Sequence, residues 1–99
     1  MRPSFIEYNS PKVTKADRRI TSNGGIQMLW SFQNGYSASV VWHDYSYGNE
    51  LGLFELAVLY NEYIDHDTPI TNDVVGYLDT KSVCALLAQI AELPPKIFN

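Results

Sequence analysis

Apolar and polar residues alternate most regularly in the middle of the chain. Ile26, Met28, Trp30 and Phe32 alternate with Gln27, Leu29 and Ser31, and Tyr36, Ala38, Val40 and Trp42 alternate with Ser37, Ser39 and Val41. A period of two places each set on one face of a β-strand. The link between the two runs decides their register. A two-residue Asn34-Gly35 loop would oppose Phe32 to Ser37 and Trp30 to Ser39, laying an apolar row beside a polar one. A three-residue loop, Gln33-Asn34-Gly35, pairs Phe32 with Tyr36, Trp30 with Ala38, Met28 with Val40 and Ile26 with Trp42, so that every apolar residue shares a face. It also puts Gly35 where a type I turn plus bulge requires a left-handed residue. The pattern predicts this second register.

The run from Leu53 to Tyr60 carries Phe54, Leu56 and Val58 on one side and Leu53, Glu55, Ala57 and Leu59 on the other. Being nearly apolar on both faces, it reads as the best-covered strand. The stretch HDYSYGNELG before it is too long and too aromatic for a minimal hairpin turn. After it, NEYIDHDTPITND reads as a polar loop and VVGYL as a short extended or turn segment interrupted by Gly76. Thr80 then reads as a helix N-cap, with Val83, Leu86, Leu87, Ile90 and Leu93 as the buried stripe and Pro94-Pro95 as the stop, giving a helix over about residues 81–93. The predicted fold is α+β: a three-stranded antiparallel sheet, order β-β-β-α, covered on one face by the C-terminal helix. Residues 1–25, with Pro3, Pro11, Gly24 and Gly25, read as a basic arm or weak edge element. Val13 and Ile20 are its candidate anchors, and RITSNGG is its flexible joint to a single compact domain over residues 26–99.

Length and composition narrow the classes. The 99 residues are 45% hydrophobic and 18% charged, enough for one core and too few for two. No run approaches the length of a membrane span or a signal peptide, so the expectation is a soluble chain without a membrane, in the cytoplasm of the cell that makes it. The lone Cys84 precludes an internal disulfide and any multi-cysteine metal site.

Charge is segregated along the chain. Arg2, Lys12, Lys15, Arg18 and Arg19 outweigh Glu7 and Asp17 in the first 25 residues, whereas no Lys or Arg occurs between Ile20 and Thr80, and the chain carries −4 overall. An anionic body repels phosphates, so direct nucleic-acid binding is confined to the N-terminal arm and a basic protein surface suits the body better. The bland alternative is that the acids merely solvate the surface.

No catalytic motif stands out. His43-Asp44 and His66-Asp67 are too far apart in sequence for a compact metal-ligand pattern, so no metal is expected. Cys84 lies inside the helix among Val83, Leu87 and Ala88, where a thiol is usually a small buried hydrophobe. The carboxylates of Glu62, Asp65 and Asp67 lack the cleft that acid-base catalysis needs, and Gly24-Gly25 lacks the context of a phosphate loop. The chain therefore reads as no enzyme, with no cofactor. What remains are two loops, one holding Asp44, Tyr45, Tyr47 and Glu50 and the other Glu62, Tyr63, Asp65 and Asp67. Tyrosine offers rigid contact area with a hydrogen-bonding tip, and the acids select a basic partner, so these residues form the predicted partner-binding surface. The competing reading is that loop tyrosines only pack over the sheet edge.

The strings NGYSASVVWHDYSYGNELGLFELAVL and TPITNDVVGYLDTKSVCALLAQIAEL resemble small proteins of unassigned role encoded by tailed bacteriophages and prophages. The shared features are an NGY hairpin, the GLFELAVL strand, a TPxTxDVxG segment and an LLxxIAxL helix, over about residues 34–93. The family usually has a basic residue where Trp42 or His43 stands, so this body is more acidic. The resemblance brings no catalytic residues with it. It implies a viral accessory protein, a class that often inhibits host machinery, anti-CRISPR proteins included. The expectation is thus an inhibitor that docks its acidic, tyrosine-rich surface on a basic site of a host protein or ribonucleoprotein complex. A phage structural or assembly component, or a nucleic-acid binder acting through the basic arm, is the alternative.

Overall fold

The alternating runs become the central hairpin of a computed structural model that describes residues 2–71 and 73–96. Strands β1 (Val13–Ile20), β2 (Ile26–Phe32), β3 (Tyr36–Trp42), β4 (Phe54–Tyr60), β5 (Tyr63–Ile64) and β6 (Val74–Leu78) form one antiparallel sheet, and helix α1 (Thr80–Ala91) follows. The order across the sheet is β1-β2-β3-β4, with β5 and β6 both pairing the far side of β4. The α+β class stands, but the predicted three-stranded sheet is too small.

The central register is the predicted one. Ile26 faces Trp42, Met28 faces Val40 and Trp30 faces Ala38, and the Gly35 N–H closes the loop on the Phe32 carbonyl at 3.1 Å. Gly35 has φ +91, and an added Cβ would stand 2.9 Å from the Tyr60 ring.

The three additional strands escape a pattern-based reading for separate reasons. β1, VTKADRRI, pairs Ile20 with Ile26 and Val13 with Phe32, yet its residues after Val13 are exposed, so no apolar row announces it. Its charges are what an open sheet edge needs to discourage pairing with other chains. Of the expected anchors, Val13 packs against the core while Ile20 is exposed; the true anchor of the N-terminal stretch is Ile6. The expected flexible joint is a hydrogen-bonded turn, in which Thr21 N–H donates to the Gly25 carbonyl at 2.8 Å. β5 is two residues long and follows a two-residue turn, Asn61-Glu62, with φ 51 and 71. Two successive positive φ values make this a type I′ turn, although its residues are not the usual Asn-Gly. β6 is the VVGYL segment.

One face of the sheet is buried, by two covers. α1 lays Val83, Leu87 and Ile90 over β3, β4 and β6, and each such side chain contributes about 1.5–3 kcal/mol on leaving water. On the β1–β2 side, the segment before β1 does the same work: Ile6 N–H donates to Met28 Sδ at 3.1 Å and the Trp30 indole N–H to the Tyr8 carbonyl at 3.3 Å. The helix begins one residue earlier than predicted. Asp79, not Thr80, is the N-cap, its carboxylate accepting the Ser82 N–H at 2.7 Å. The helix ends at Ala91 rather than Leu93, with Glu92 and Leu93 closing a tighter last turn.

That last turn is held by the hairpin. The Asn34 side-chain amide donates to the carbonyls of Ile90 and Leu93, both at 2.9 Å, while its oxygen accepts the Tyr36 N–H at 3.0 Å. Its two hydrogens thus meet carbonyls of the last turn, the Ile90 oxygen accepting the Leu93 N–H at 3.1 Å as well. Asn34→Ala should therefore destabilise the fold by about 2–3 kcal/mol in denaturant titrations, because the bonds to Ile90, Leu93 and Tyr36 are lost together, each worth about 1 kcal/mol net. Asn34→Asp should be at least as damaging at pH 7, since an ionised carboxylate cannot donate and faces the negative end of the helix, and it should regain part of the loss as acid protonates it. Gly35→Val should cost about 1 kcal/mol or more. A near-neutral Asn34→Ala would show that the hairpin does not hold the helix.

Candidate functional site

The two loops expected to form one surface lie at opposite ends of β4. The loop from His43 to Leu53 precedes that strand and the Asn61-Glu62 turn follows it. Seven residues of strand at about 3.4 Å each separate them by about 24 Å. Asp44, Tyr45, Tyr47 and Glu50 stay together; Glu62, Tyr63, Asp65 and Asp67 form a second, distinct group.

In the second group Asp65 faces inward. It is 7% exposed, its Oδ1 accepts the Asp67 N–H at 2.9 Å, and the Lys96 ammonium lies 2.6 Å from Oδ2. Lys96 also sits 4.8 Å above the Tyr60 ring. This carboxylate therefore ties the chain after Pro94-Pro95 to the sheet and is largely buried, unlike the exposed Glu62, Tyr63 and Asp67 grouped with it. Tyr63 is exposed and lines a shallow hollow with His66 and Asp67, and Glu62 precedes it in the turn.

The first group is held rigidly from within. Ser46 is buried, its N–H and its hydroxyl both directed to the His43 carbonyl, and His43 Nδ1 accepts the Tyr45 N–H at 3.1 Å. The Trp42 indole N–H donates to the Asn49 carbonyl at 2.8 Å. The Tyr47 backbone is fixed on both sides, its N–H by Glu55 Oε2 at 2.7 Å and its carbonyl by the Tyr77 N–H at 3.2 Å. A single 3₁₀ turn, Asn49–Leu51, then lifts Glu50 and Leu51 into solvent.

Tyr77 and Leu51 were missed by sequence reasoning. Phe54 pairs with Leu78 and Leu56 with Val75, so Gly76 and Tyr77 together oppose Glu55. This is a β-bulge, a device that re-aims a side chain. Tyr77 takes φ +59, a left-handed conformation that costs a non-glycine residue about 1–2 kcal/mol. Gly76 permits the arrangement, since a Cβ there would stand 2.4 Å from the Tyr47 Cβ. The Gly76 that interrupts VVGYL was the available signal, but a bulge can be assigned only once the partner strand is known.

The result is a dense exposed cluster. Tyr45 is 87% exposed, Leu51 72%, Tyr77 63% and Tyr47 60%, and all four line one concavity of about 390 Å³ with Glu50. Asp44 and Glu50 join no ion pair among the described residues. A larger hollow of about 540 Å³ lies on the open face of the sheet, bounded by Asp17, Arg18, Arg19, Leu29 and Leu59. Its lip mixes signs and is engaged internally, Arg18 with Glu7 at 3.0 Å and Arg19 with Gln27 at 2.8 Å. The loop cluster therefore has the stronger character of a recognition surface.

Cys84 is half-buried, and burial pushes its thiol above the ordinary value, away from the thiolate a nucleophile needs. Among the described residues no three His, Cys, Asp or Glu side chains converge as metal ligands. No helix among them is long and apolar enough to cross a membrane.

The Asp65–Lys96 link makes an acid-stability prediction. The Lys96 hydrogen bond foremost, and the Asp67 N–H after it, hold the Asp65 carboxyl below its usual range; the Ser82 contacts do the same for Asp79. A pKa lower in the folded than in the unfolded state stabilises the fold above the unfolded carboxylate value of about 3.9, and the gain is lost as pH falls through the folded value. Wild-type stability should therefore decline below about pH 5. Asp65→Asn should be less stable at pH 7 and flatter across the acid limb, with Asp79 contributing to the slope that remains. Parallel curves for the two proteins would remove Asp65 from this role.

No protein-family model, curated protein or solved structure matches the chain.

Proposed function

We propose that this chain is a small phage-encoded binding protein that inhibits a host complex, one concerned with defence or nucleic-acid handling, by covering a basic site. The face that carries the docking is the His43–Leu53 loop with Tyr77. The single observation that supports this reading is the cluster itself: Tyr45, Tyr47 and Leu51 of a loop hydrogen-bonded from below, with Tyr77 of β6, project into solvent beside carboxylates that no cation among the described residues neutralises. Solvent-exposed aromatic side chains on a rigid support lose little conformational entropy on binding and desolvate well, which suits interface anchors. Unpaired acids attract a basic surface over a distance and set orientation. Viral origin and inhibition rest on the sequence resemblance.

The basic-arm alternative is weakened by how the arm's charges are used. Lys12 pairs with Glu92, Lys15 with Asp17 and Arg18 with Glu7, so phosphate would have to displace a carboxylate at each. Truncating the arm is no test of this, because Ile6 is in the core and β1 is paired along its length. Substituting Arg2→Gln and Arg19→Gln is the cleaner variant.

A host protein retained from lysate by the immobilised chain, purified and titrated against it, should associate more slowly as salt rises. Asp44→Asn with Glu50→Gln should slow association further, whereas Tyr47→Ala should mainly speed dissociation, weakening the complex by about 2 kcal/mol. Arg2→Gln with Arg19→Gln should bind as wild type. Loss of binding in that last variant, with the acidic and tyrosine variants unaffected, would transfer the function to the arm.

A further inference from the structure

The cluster has the composition of a receptor for one kind of side chain. We propose that the concavity between Tyr45, Tyr47, Glu50, Leu51 and Tyr77 receives the guanidinium of an arginine side chain presented by the partner; this rests on the docking reading above and names what the loop recognises. Three observations carry it. First, tyrosines from two separate elements, the β3–β4 loop and the β6 bulge, line one hollow of about 390 Å³, whereas tyrosines that merely packed over the sheet edge would be covered by it. Ring faces attract a cation placed over them, and a planar guanidinium stacks on them as an ammonium cannot. Second, Glu50 is on the wall of that hollow and Asp44 precedes Tyr45 in the same loop, and neither meets a cation among the described residues. A carboxylate can accept two parallel N–H bonds from a guanidinium, a geometry lysine lacks. Third, the chain holds Tyr77 at φ +59 and leaves room for Tyr47 by having glycine at 76, so the hollow is maintained at the expense of backbone strain. Strain of this sort collects where a binding surface is set in advance.

Leu51 fits the same occupant, because it is 72% exposed and offers an apolar surface to the methylene stem of an arginine whose head lies among the rings. The chain itself provides a precedent for the contact: Arg18 places its guanidinium 5.0 Å from the Phe5 ring centroid while pairing with Glu7.

The test uses acetyl-Gly-Arg-Gly-amide, with lysine and citrulline in place of arginine as comparators, titrated into the full chain while the tyrosine ring and loop amide resonances are followed by NMR. The arginine peptide should perturb Tyr45, Tyr47 and Tyr77 together, and the lysine peptide should bind roughly fivefold more weakly. Citrulline, which keeps the planar shape without the charge, should show no saturable effect. Glu50→Gln should weaken the arginine peptide several-fold. So should Tyr77→Asn, which removes the ring but retains a residue tolerant of the left-handed backbone. Glu62→Gln, at the other end of β4, should change nothing. Equal perturbation by arginine and lysine peptides, or perturbation unaffected by Glu50→Gln and Tyr77→Asn, would overturn the pocket. If the peptide fails to bind while a basic protein partner still depends on Asp44 and Glu50, the pocket falls and the docking face survives. If the arginine peptide binds as described while the protein partner ignores those acids, the pocket stands and the docking reading falls.

Discussion

The contact between the Asn34 amide and the end of α1 determines how the two layers meet. A helix lying on a sheet through apolar side chains alone can slide, because burial is nearly indifferent to small shifts. Hydrogen bonds to the Ile90 and Leu93 carbonyls are directional and remove that freedom. They require Asn34 to point back over the core face, which the three-residue loop with left-handed Gly35 achieves and the two-residue loop would not. The helix position then fixes Leu78 and Asp79 just before it, and with them the path of β6 along β4.

The loop cluster depends on this chain of placements. β6 must bring Gly76 and Tyr77 against the Tyr47 backbone, and it can do so only where α1 begins. Tyr47 is also bonded to Glu55 of β4, so the loop is braced by two neighbouring strands rather than by its own sequence. Most of its own polar groups are turned inward: Ser46, the His43 ring nitrogen and the Asn49 carbonyl all serve internal bonds. What faces solvent is therefore almost entirely tyrosine, leucine and carboxylate.

The parts legible in the sequence are those with a strong local period. The β2–β3 register, the extent of β4 and the buried stripe of α1 follow from alternation or helical spacing that packing had no reason to override. β1 was illegible because its stability comes from backbone bonds to β2 and its side chains mark it as an edge. β5 consists of two residues and a turn containing glutamate where glycine is usual, so neither period nor turn chemistry flagged it. For the candidate surface, residue types pointed to the right loop but not to its geometry. Tyrosines and acids were visible, whereas their division between the two ends of β4, the burial of Asp65 beneath Lys96 and the recruitment of Tyr77 all depend on which strands pair.

The electrostatic character of the molecule likewise comes from pairing more than from composition. Individually, the exposed pairs of Lys12 with Glu92, Lys15 with Asp17 and Arg18 with Glu7 add little stability, because water and salt screen them. Their effect on the outward field is larger, since each cancels a positive charge within a few ångströms and so leaves little to be sensed beyond a Debye length. Lys96 is likewise spent on Asp65. Because no cation among the described residues performs the same cancellation around Asp44 and Glu50, negative charge is expressed beside the exposed rings of the β3–β4 loop. A basic surface drawn to this end of the sheet would thus meet four exposed apolar and aromatic side chains that can hold it, against Tyr63 and Ile64 at the other end.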